Sequence, residues 1–349
     1  MGSWRVGLVG CGFFARNHLE AWRALGPRAR LAAVCDQDPQ RAEACAREFG
    51  ARAYTSLEEM LERERLDFVD LVTPPAAHRA LVERVAAFGL PAICQKPLAP
   101  SLEEARAMVQ ACREAGVRLM VHENFRWQRP MRELRRRAEG LGRLFFGRIS
   151  FRSAYDVYRA QPYLAQEPRF ILLDLGVHLL DLARFFFGEF EGLYCHTGRV
   201  HPGIRGEDVA TVLLRSRQGA ACVVELSYAS RLEEELFPQT LVHLEGERGS
   251  LCLGPGYRLT EVRDPVAEGF RSGREGLEVE RREVPPLSPP WGQPPFEAIQ
   301  ESVLRIQEHW LDCLDRGEEP ETSGEDNLRT LELVFACYRS AEGGREALL

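Results

Sequence analysis

A stripe of polar side chains interrupts an otherwise apolar segment between Phe170 and Gly188. Asp174, His178 and Asp181 follow one another at steps of four and three residues, so on a helix they share one face. Burying a carboxylate or an imidazole without a partner costs several kcal/mol, so such groups on a core-facing helix need partners. The stripe predicts either a functional site or a satisfied buried His–Asp pair that joins two elements.

A glycine-rich turn close to the N-terminus has the spacing that dinucleotides require. Arg5–Val9 is a short apolar run that predicts a first strand, and Gly10, Gly12 and Ala15 follow it as Gly-x-Gly-x-x-Ala. The first glycine permits a tight turn, the second lets the backbone approach a pyrophosphate, and the alanine allows close helix packing. The N–H groups and dipole of the following helix favour phosphates. The cofactor-binding residues predicted in this turn are Gly10, Gly12, Phe13 and Phe14.

An acidic residue follows the second predicted strand, Leu31–Cys35. Asp36 comes after Gly12 at about the 20-residue spacing at which a carboxylate binds the adenosine ribose diol. That carboxylate would repel a 2′-phosphate, and no basic residue follows it until Arg41. The sequence therefore favours NAD over NADP. The alternative is that Asp36 is an ordinary residue at the end of a strand.

Strands and helices alternate through the first third of the chain. The predicted strands are Arg5–Val9, Leu31–Cys35, Phe68–Val72, Ala92–Cys94 and Val117–Val121. The predicted helices are Asn17–Leu25, Pro39–Phe49, Ala76–Phe88 and a segment from the capping residue Ser101 to Gly116. Nearly all-apolar strands in this order predict an α/β fold, a doubly wound parallel sheet of the Rossmann type, over residues 1–123.

Ligands of doubly wound sheets bind beyond the carboxyl ends of the strands. Thr73 and Pro74 follow one predicted strand, and Gln95 and Lys96 follow the next. Lys96 is the only lysine in the chain, which otherwise uses arginine. A lysine can lose its proton whereas a guanidinium stays charged, so this amine indicates a role that arginine cannot fill. The alternative is that the single lysine is a chance outcome of an arginine-rich composition.

The pattern changes after residue 123, and residues 124–349 are predicted to form a second, α+β domain. After a helix at Met131–Ala138, strands with looser alternation predict an open, mainly antiparallel sheet with helices on one side. These strands are Phe145–Phe151, Gly192–Val200, Val209–Leu214, Ala221–Tyr228, Leu241–Glu245 and Ser250–Leu253. Gly254–Pro295 is predicted to be a long loop. The closing helices, Ile299–Leu314 and Leu328–Tyr338, are candidates to pack back on the first domain.

The composition limits the classes of partner. A net charge of −7 argues against nucleic acid, because phosphate binding needs a basic surface. The ten cysteines include no Cys-x-x-Cys and no zinc-like spacing with histidine, so no metal site is predicted. No apolar run reaches membrane-spanning length and the N-terminus leads directly into a strand, so neither a membrane span nor a signal peptide is expected. These features predict a cytoplasmic protein.

Together these motifs resemble those of the Gfo/Idh/MocA family of NAD(P)-dependent sugar and inositol oxidoreductases, in the family's order and over nearly the whole chain. The segments that carry the resemblance, besides the glycine turn, are Thr73-Pro74-Pro75 with His78, Lys96-Pro97-Leu98-Ala99, Asn124-Phe-Arg126-Trp127, Asp174-x-Gly-x-His178 and Glu319-Pro-Glu-Thr-Ser-Gly-Glu-Asp. The resemblance implies a Rossmann domain followed by a domain with an open sheet. In many members that sheet is the oligomer interface, so a homodimer or homotetramer is expected.

The resemblance also implies a catalytic set, which consists of Lys96, Asp174 and His178. His178 would be the general acid or base, Lys96 would hydrogen-bond the reacting oxygen, and Asp174 would orient the substrate or the imidazole. Which of Lys96 and His178 is the formal base stays open. Gln95 replaces the usual glutamate of the Glu-Lys-Pro motif, and the lost negative charge leaves a protonated Lys96 with less support.

The predicted function is hydride transfer between a hydroxyl of a sugar or cyclic polyol and the nicotinamide of NAD. The alternatives are an NAD-dependent glycoside hydrolase of the same family and a non-catalytic sensor of sugar or cofactor. Further cofactor-binding residues are predicted to be Thr73, Pro74, His78, Gln95 and Lys96. The predicted substrate-binding residues, for which packing between domains is the alternative role, are His122, Arg126, Trp127 and Tyr155.

Overall fold

A computed structural model of the protein describes residues 3–265 and 276–349, which form two compact units. Unit 1 comprises Met1–Asn124, Pro289–Gly292 and Ser302–Leu331. Unit 2 comprises Phe125–Ser288, Gln293–Glu301 and Glu332–Leu349. Residues of the closing helices α9 (Glu297–Arg316) and α10 (Gly324–Gly343) therefore belong to both units.

Unit 1 contains a sheet of six described strands that all run parallel. The strands are β1 (Trp4–Val9), β2 (Ala29–Cys35), β3 (Arg52–Tyr54), β4 (Phe68–Leu71), β5 (Ala92–Gln95) and β6 (Leu119–His122). The helices between them are α1 (Ala15–Ala24), α2 (Pro39–Phe49), α3 (Leu57–Arg63), α4 (Pro75–Ala87) and α5 (Leu102–Ala115). The strand order is β3-β2-β1-β4-β5-β6, so it reverses between β1 and β4, which is where a doubly wound sheet binds its ligand.

Local signals in the sequence define several of these helices. The Ser101 hydroxyl accepts the backbone N–H of Glu104, and α5 ends at Gly116, whose φ of 66° is left-handed. The Asp38 carboxylate caps α2 in the same way by accepting the N–H of Gln40. The central strands are almost wholly buried, as expected for a parallel sheet covered on both faces. The predicted Rossmann fold is confirmed.

Unit 2 contains a sheet of nine described strands in the order β14-β13-β12-β11-β7-β10-β9-β8-β15. The strands are β7 (Leu144–Arg152), β8 (Phe190–Gly198), β9 (Val209–Ser216), β10 (Ala221–Ser227), β11 (Leu241–Gly246), β12 (Gly249–Gly254), β13 (Arg258–Arg263), β14 (Glu278–Glu283) and β15 (Ala347–Leu348). The helices α6 (Arg129–Ala138), α7 (Val157–Ala160) and α8 (Val177–Phe187) belong to this unit. The β7–β10 pair is parallel and the other pairs are antiparallel, so the predicted open, mainly antiparallel sheet is confirmed.

The prediction of one long loop over Gly254–Pro295 is wrong in part. β13 and β14 pair antiparallel within this segment and extend the sheet to its edge. The β14 sequence, Glu-Val-Glu-Arg-Arg-Glu, is mostly exposed and charged, as suits an edge strand that must not pair with other chains. Such a strand lacks the apolar alternation from which strands are predicted. Residues 266–275 of the predicted loop lie outside the described residues.

The described part of the chain contains no helix with the length and apolarity that a membrane span needs. Within the same residues, no group of three or more His, Cys, Asp or Glu side chains has an arrangement that could hold a metal ion. All ten cysteines are free thiols.

Candidate active site

The polar stripe of unit 2 begins in an irregular turn. Leu172–Gly176 is a π-helical turn that leads directly into α8, and π-turns recur at functional sites. The Glu207 carboxylate caps it by accepting the N–H groups of Phe170 and Leu172, at 3.2 and 3.1 Å. The Tyr338 hydroxyl donates to the same carboxylate at 2.8 Å, and burial followed by the Glu207 charge raises the pKa of that tyrosine. Asp174 is therefore presented, half-buried, from a fixed turn.

His178 lies in the first turn of α8 and its orientation is set by a ring contact. Its imidazole stacks on Phe125 with the centroids 3.9 Å apart and the planes 4° from parallel. Only 5% of His178 is exposed, so the ring is enclosed by the protein. A stacked and enclosed imidazole is suited to a proton transfer that requires one fixed position.

Asp181, the third member of the stripe, has a structural role. Its carboxylate is fully buried and bonds the Arg126 guanidinium through two contacts of 2.5 and 2.6 Å. This bidentate pair fixes α8 to the 3-10 helix that contains Arg126. The third member of the stripe therefore joins two elements, although Asp181 pairs with arginine rather than with histidine. The site role of Asp174 and His178 stays a prediction.

The other candidate substrate-binding residues of unit 2 also have packing partners. The Trp127 ring is 9% exposed and is covered by the Arg132 guanidinium, 3.7 Å from the ring centroid. The Tyr155 ring is half-buried and stacks on Phe237 at 3.9 Å, with the edge of Phe296 at 6.4 Å. These contacts are compatible with a wall of a pocket, and the substrate roles of Trp127 and Tyr155 stay predictions.

In unit 1, the glycine turn lies against the end of β4. Gly10 has a φ of 95°, and a Cβ there would come within 2.2 Å of the Val72 carbonyl oxygen, so no other residue fits. A Cβ at Gly12 would meet no atom within 4 Å, which leaves the backbone open on that side. Phe13 beside it is 72% exposed, and Phe14 immediately precedes α1. This is the surface that a pyrophosphate would approach.

The Asp36 carboxylate is held in one orientation at the end of β2. One oxygen accepts the N–H of Cys11 at 2.7 Å and the other accepts the N–H of Asp38 at 2.9 Å. The first of these bonds ties the carboxylate to the glycine turn itself. A fixed, half-buried negative charge at this position is what the predicted ribose contact needs, and it would repel a 2′-phosphate.

The loops after β4 and β5 are joined by His78. The two nitrogens of its fully buried ring lie 2.8 Å from the Thr73 carbonyl oxygen and 3.1 Å from that of Leu98. Burial lowers the pKa of His78. His78 is thus placed to position the two cofactor loops, one of which includes Pro74. The buried hydroxyl oxygen of Thr73 has no hydrogen-bond partner among the described residues.

Gln95 ends β5 and Lys96 follows it. Lys96 is half-buried, and its backbone N–H donates to the Gln95 side-chain oxygen at 3.1 Å. His122 ends β6, is fully buried and lies 3.3 Å from the Gln95 amide nitrogen, so it faces its own unit's core. Sequence reasoning missed His18 and Asp70, which bond each other at 2.8 Å behind this edge. The aspartate in an otherwise apolar strand was the available signal.

These features fit a dinucleotide on two independent grounds. The backbone at Gly12 is open and glycine-lined, and the Thr73 hydroxyl is buried without a protein partner at the neighbouring strand end. With the Asp36 carboxylate, they could supply a pyrophosphate cradle, a polar contact near the nicotinamide end and a ribose acceptor, and these roles stay predictions. The fold and these residues define an NAD-dependent oxidoreductase.

Comparison with protein families identifies the group. Residues 4–123 match the oxidoreductase family GFO_IDH_MocA, NAD-binding Rossmann fold, and residues 116–252 match the GFO/IDH/MocA C-terminal domain. The chain belongs to the Gfo/Idh/MocA oxidoreductase family. The family, the cofactor and the type of reaction predicted from the sequence are therefore confirmed.

Individual relatives span nearly the whole chain. A D-apiose dehydrogenase of Paraburkholderia graminis is 51% identical, and the alignment covers 97% of this chain and 88% of the relative. A D-apiose dehydrogenase of Rhizobium rhizogenes is 47% identical, covering 97% and 95%. The crystal structure of an oxidoreductase from Agrobacterium radiobacter in complex with NAD+, L-tartaric acid and magnesium is 45% identical, with a TM-score of 0.92 and coverage of 99% and 98%.

Proposed function

We propose that this enzyme oxidises a small sugar of the D-apiose type with NAD+. The observation that carries the choice of substrate is the similarity over nearly the full length to two proteins named D-apiose dehydrogenase. Three relatives named as inositol 2-dehydrogenases are only 26–29% identical. An acyclic or five-membered polyhydroxy substrate is therefore favoured over a cyclitol.

The proposed mechanism assigns one task to each predicted catalytic residue. NAD+, when bound, supplies the acceptor for the hydride of the carbinol carbon. An imidazole nitrogen of His178 takes the proton of the reacting hydroxyl, and Lys96 Nζ donates a hydrogen bond to the same oxygen and stabilises its negative charge. The Asp174 carboxylate accepts a neighbouring substrate hydroxyl and so orients the sugar. Phe125 keeps the imidazole in position during the transfer.

The first experiment measures NADH formation by the purified enzyme over a panel of sugars and cyclitols. We expect the highest kcat/KM with D-apiose, and a higher value with myo-inositol would contradict the proposal. Accumulation of NADH in proportion to the oxidised product also separates dehydrogenation from a hydrolase that returns its cofactor unchanged. Binding of D-apiose without any NADH would instead support a sensor.

The second experiment tests the residues. Lys96→Ala and His178→Ala should each lower kcat by at least about 100-fold, because a positioned acid or base contributes about 10²–10⁴-fold. NAD+ affinity should change little in His178→Ala, because this histidine is not among the predicted cofactor-binding residues. His196→Ala is the matched control, because this histidine is exposed on β8 and should leave kcat unchanged. Turnover within about threefold of the parent would remove the residue concerned from the mechanism.

We further propose that two copies of the chain associate through the exposed face of the sheet of unit 2. Tyr194, Leu213 and Val223 occupy one register row across β8, β9 and β10, and the first two are 46% and 51% exposed. Light scattering should give at least a dimer for the parent and a monomer for Leu213→Glu. A monomeric parent would contradict this assignment.

We also propose that the enzyme works in the cytoplasm, because free thiols persist in a reducing compartment. The free thiols are blocked at lysis, and the denatured protein is then reduced and titrated for new thiols. The titration should find none, because no cysteine is expected to be in a disulfide. A disulfide formed in the cell would argue for another compartment.

A further inference from the structure

A chain of buried polar side chains lies behind the carboxyl ends of β4, β5 and β6 in unit 1. Asp70 accepts the His18 Nδ1 and Trp22 Nε1 donors, each at 2.8 Å, through one carboxylate oxygen. His18 Nε2 lies 2.7 Å from the Gln95 amide nitrogen, and His122 Nδ1 lies 3.3 Å from that same nitrogen. Asp70, His18 and His122 are all fully buried, so these polar groups are shielded from bulk solvent.

The orientation of the Gln95 amide is fixed by the main chain. The backbone N–H of Lys96 can only donate, and it faces Gln95 at 3.1 Å, so the atom opposite it is the amide oxygen. The amide NH2 group must then point at the two imidazoles. It has two hydrogens, one for His18 Nε2 and one for His122 Nδ1, and each of these ring nitrogens must accept.

Accepting nitrogens carry no proton, which determines the state of both rings. His18 donates through Nδ1 to Asp70 and accepts at Nε2, so it is a neutral imidazole in its Nδ1–H form. His122 accepts at Nδ1 and, as a neutral ring, carries its proton on Nε2. The two rings are 4.2 Å apart between centroids, a separation at which two imidazolium charges would repel. The other described groups that face His18 are the Asp70 carboxylate and the edge of Phe14.

We propose that Gln95 is a positioning residue that keeps His18 and His122 neutral, each in a single tautomer, behind Lys96. A carboxylate at position 95 would only accept, and would face two accepting nitrogens. His122 can adapt by moving its proton to Nδ1, but His18 would then lie between the Asp70 carboxylate and the new one with a single N–H for both. That arrangement is stable only if one proton is taken up, either on His18 or on the new carboxyl group. The negative charge of the substituted side chain and the charge of the added proton cancel, so the buried network keeps its net charge.

The proton count is tested on the protein without NAD+ or substrate, by electrophoretic charge measurement at pH 7. Gln95→Glu should migrate as the parent does, because the added carboxylate brings one proton with it. Gln218→Glu is the matched control, since this residue lies exposed in the turn between β9 and β10 and should add one full negative charge. If Gln95→Glu shifts as far as the control, no proton is taken up and the proposal is wrong.

A second measurement uses the unmodified chain, so it does not depend on whether the variant folds. Long-range ¹H–¹⁵N spectra of protein labelled in histidine, assigned with His18→Gln and His122→Gln, report which ring nitrogens carry protons. We expect one protonated nitrogen per ring, Nδ1 in His18 and Nε2 in His122. Two protonated nitrogens in either ring, or the opposite tautomers, would overturn the proposal. Any effect of this arrangement on turnover depends on the proposed catalytic role of Lys96. The charge measurement and the histidine spectra do not depend on that role, so they can fail independently of the proposed function.

Discussion

Replacing Asp36 by asparagine tests the cofactor site with the smallest change in shape. The carboxylate has one oxygen for each of two backbone donors, the N–H groups of Cys11 and Asp38, at 2.7 and 2.9 Å. An amide has one oxygen, so in D36N one of these donors faces an NH2 group. Leaving a donor unsatisfied costs about 1–3 kcal/mol, and this loss moves the glycine turn as well as the side chain.

The ribose contacts weaken at the same time. A hydrogen bond to a charged acceptor contributes about 1.5–3 kcal/mol, and an amide retains part of that. Because about 1.4 kcal/mol is a tenfold change in affinity, we expect the Kd for NAD+ to rise about 10–100-fold in D36N. NADP+ binding should weaken less or improve, because the charge that repels its 2′-phosphate is lost.

Calorimetric titration with NAD+ and NADP+ measures both quantities. Asp38→Asn is the matched control, since it removes the same charge two residues away while asparagine still caps α2. That variant should keep the parent's preference for NAD+. A Kd for NAD+ in D36N within about twofold of the parent, or an unchanged ratio of the two affinities, would refute the assignment of Asp36 as the ribose acceptor.

Three further outcomes are expected within unit 2. Phe125→Leu should lower kcat about 3–10-fold with little change in cofactor affinity, because the stacking ring that orients the catalytic imidazole contributes about 0.5–1.5 kcal/mol; an unchanged kcat would contradict this. Asp181→Asn should lower the free energy of unfolding in urea by about 3 kcal/mol, because it leaves the buried Arg126 charge without its partner, and a loss below 1 kcal/mol would contradict this. Glu133→Gln should lower the free energy of unfolding more at pH 7 than at pH 3. The Arg136 side chain holds the pKa of the Glu133 carboxyl at about 2, so the ionised carboxylate stabilises the fold fully above its usual pKa near 4.5 and progressively less as the pH falls toward 2. Equal losses at the two pH values would contradict this.

The parts of the fold that the sequence predicted depend on short-range signals. The glycine turn, the Ser101 capping box and the left-handed Gly116 each act within a few residues, so each could be inferred from one segment. Apolar strands alternating with amphipathic helices then imply the parallel sheet. The edge strand β14 escaped prediction because its exposed, charged residues carry no apolar alternation.

The contacts that organise the site depend on partners far apart in the chain. Arg126 and Asp181 are separated by 55 positions, and His18 and Gln95 by 77, so no local pattern connects them. The sequence analysis missed Asp70, and although a carboxylate inside the apolar strand β4 is a signal that it needs a partner, that signal does not identify the side chain. Phe125 carried no signal at all, because a phenylalanine that orients an imidazole is not distinguishable from one in a core.

The π-turn at Leu172–Gly176 accommodates one residue more than an α-helical turn would. Each residue of an α-helix rotates the next side chain by about 100°, so a single deletion between Asp174 and His178 would turn the two side chains by about 100° relative to one another. The relative direction of these two side chains is therefore encoded by length rather than by residue type. A relative with a regular α-helical turn here would be one residue shorter than this chain and would show a one-residue gap in an alignment. Such a gap, rather than any substitution, would mark a substrate pocket with a different arrangement of these two side chains.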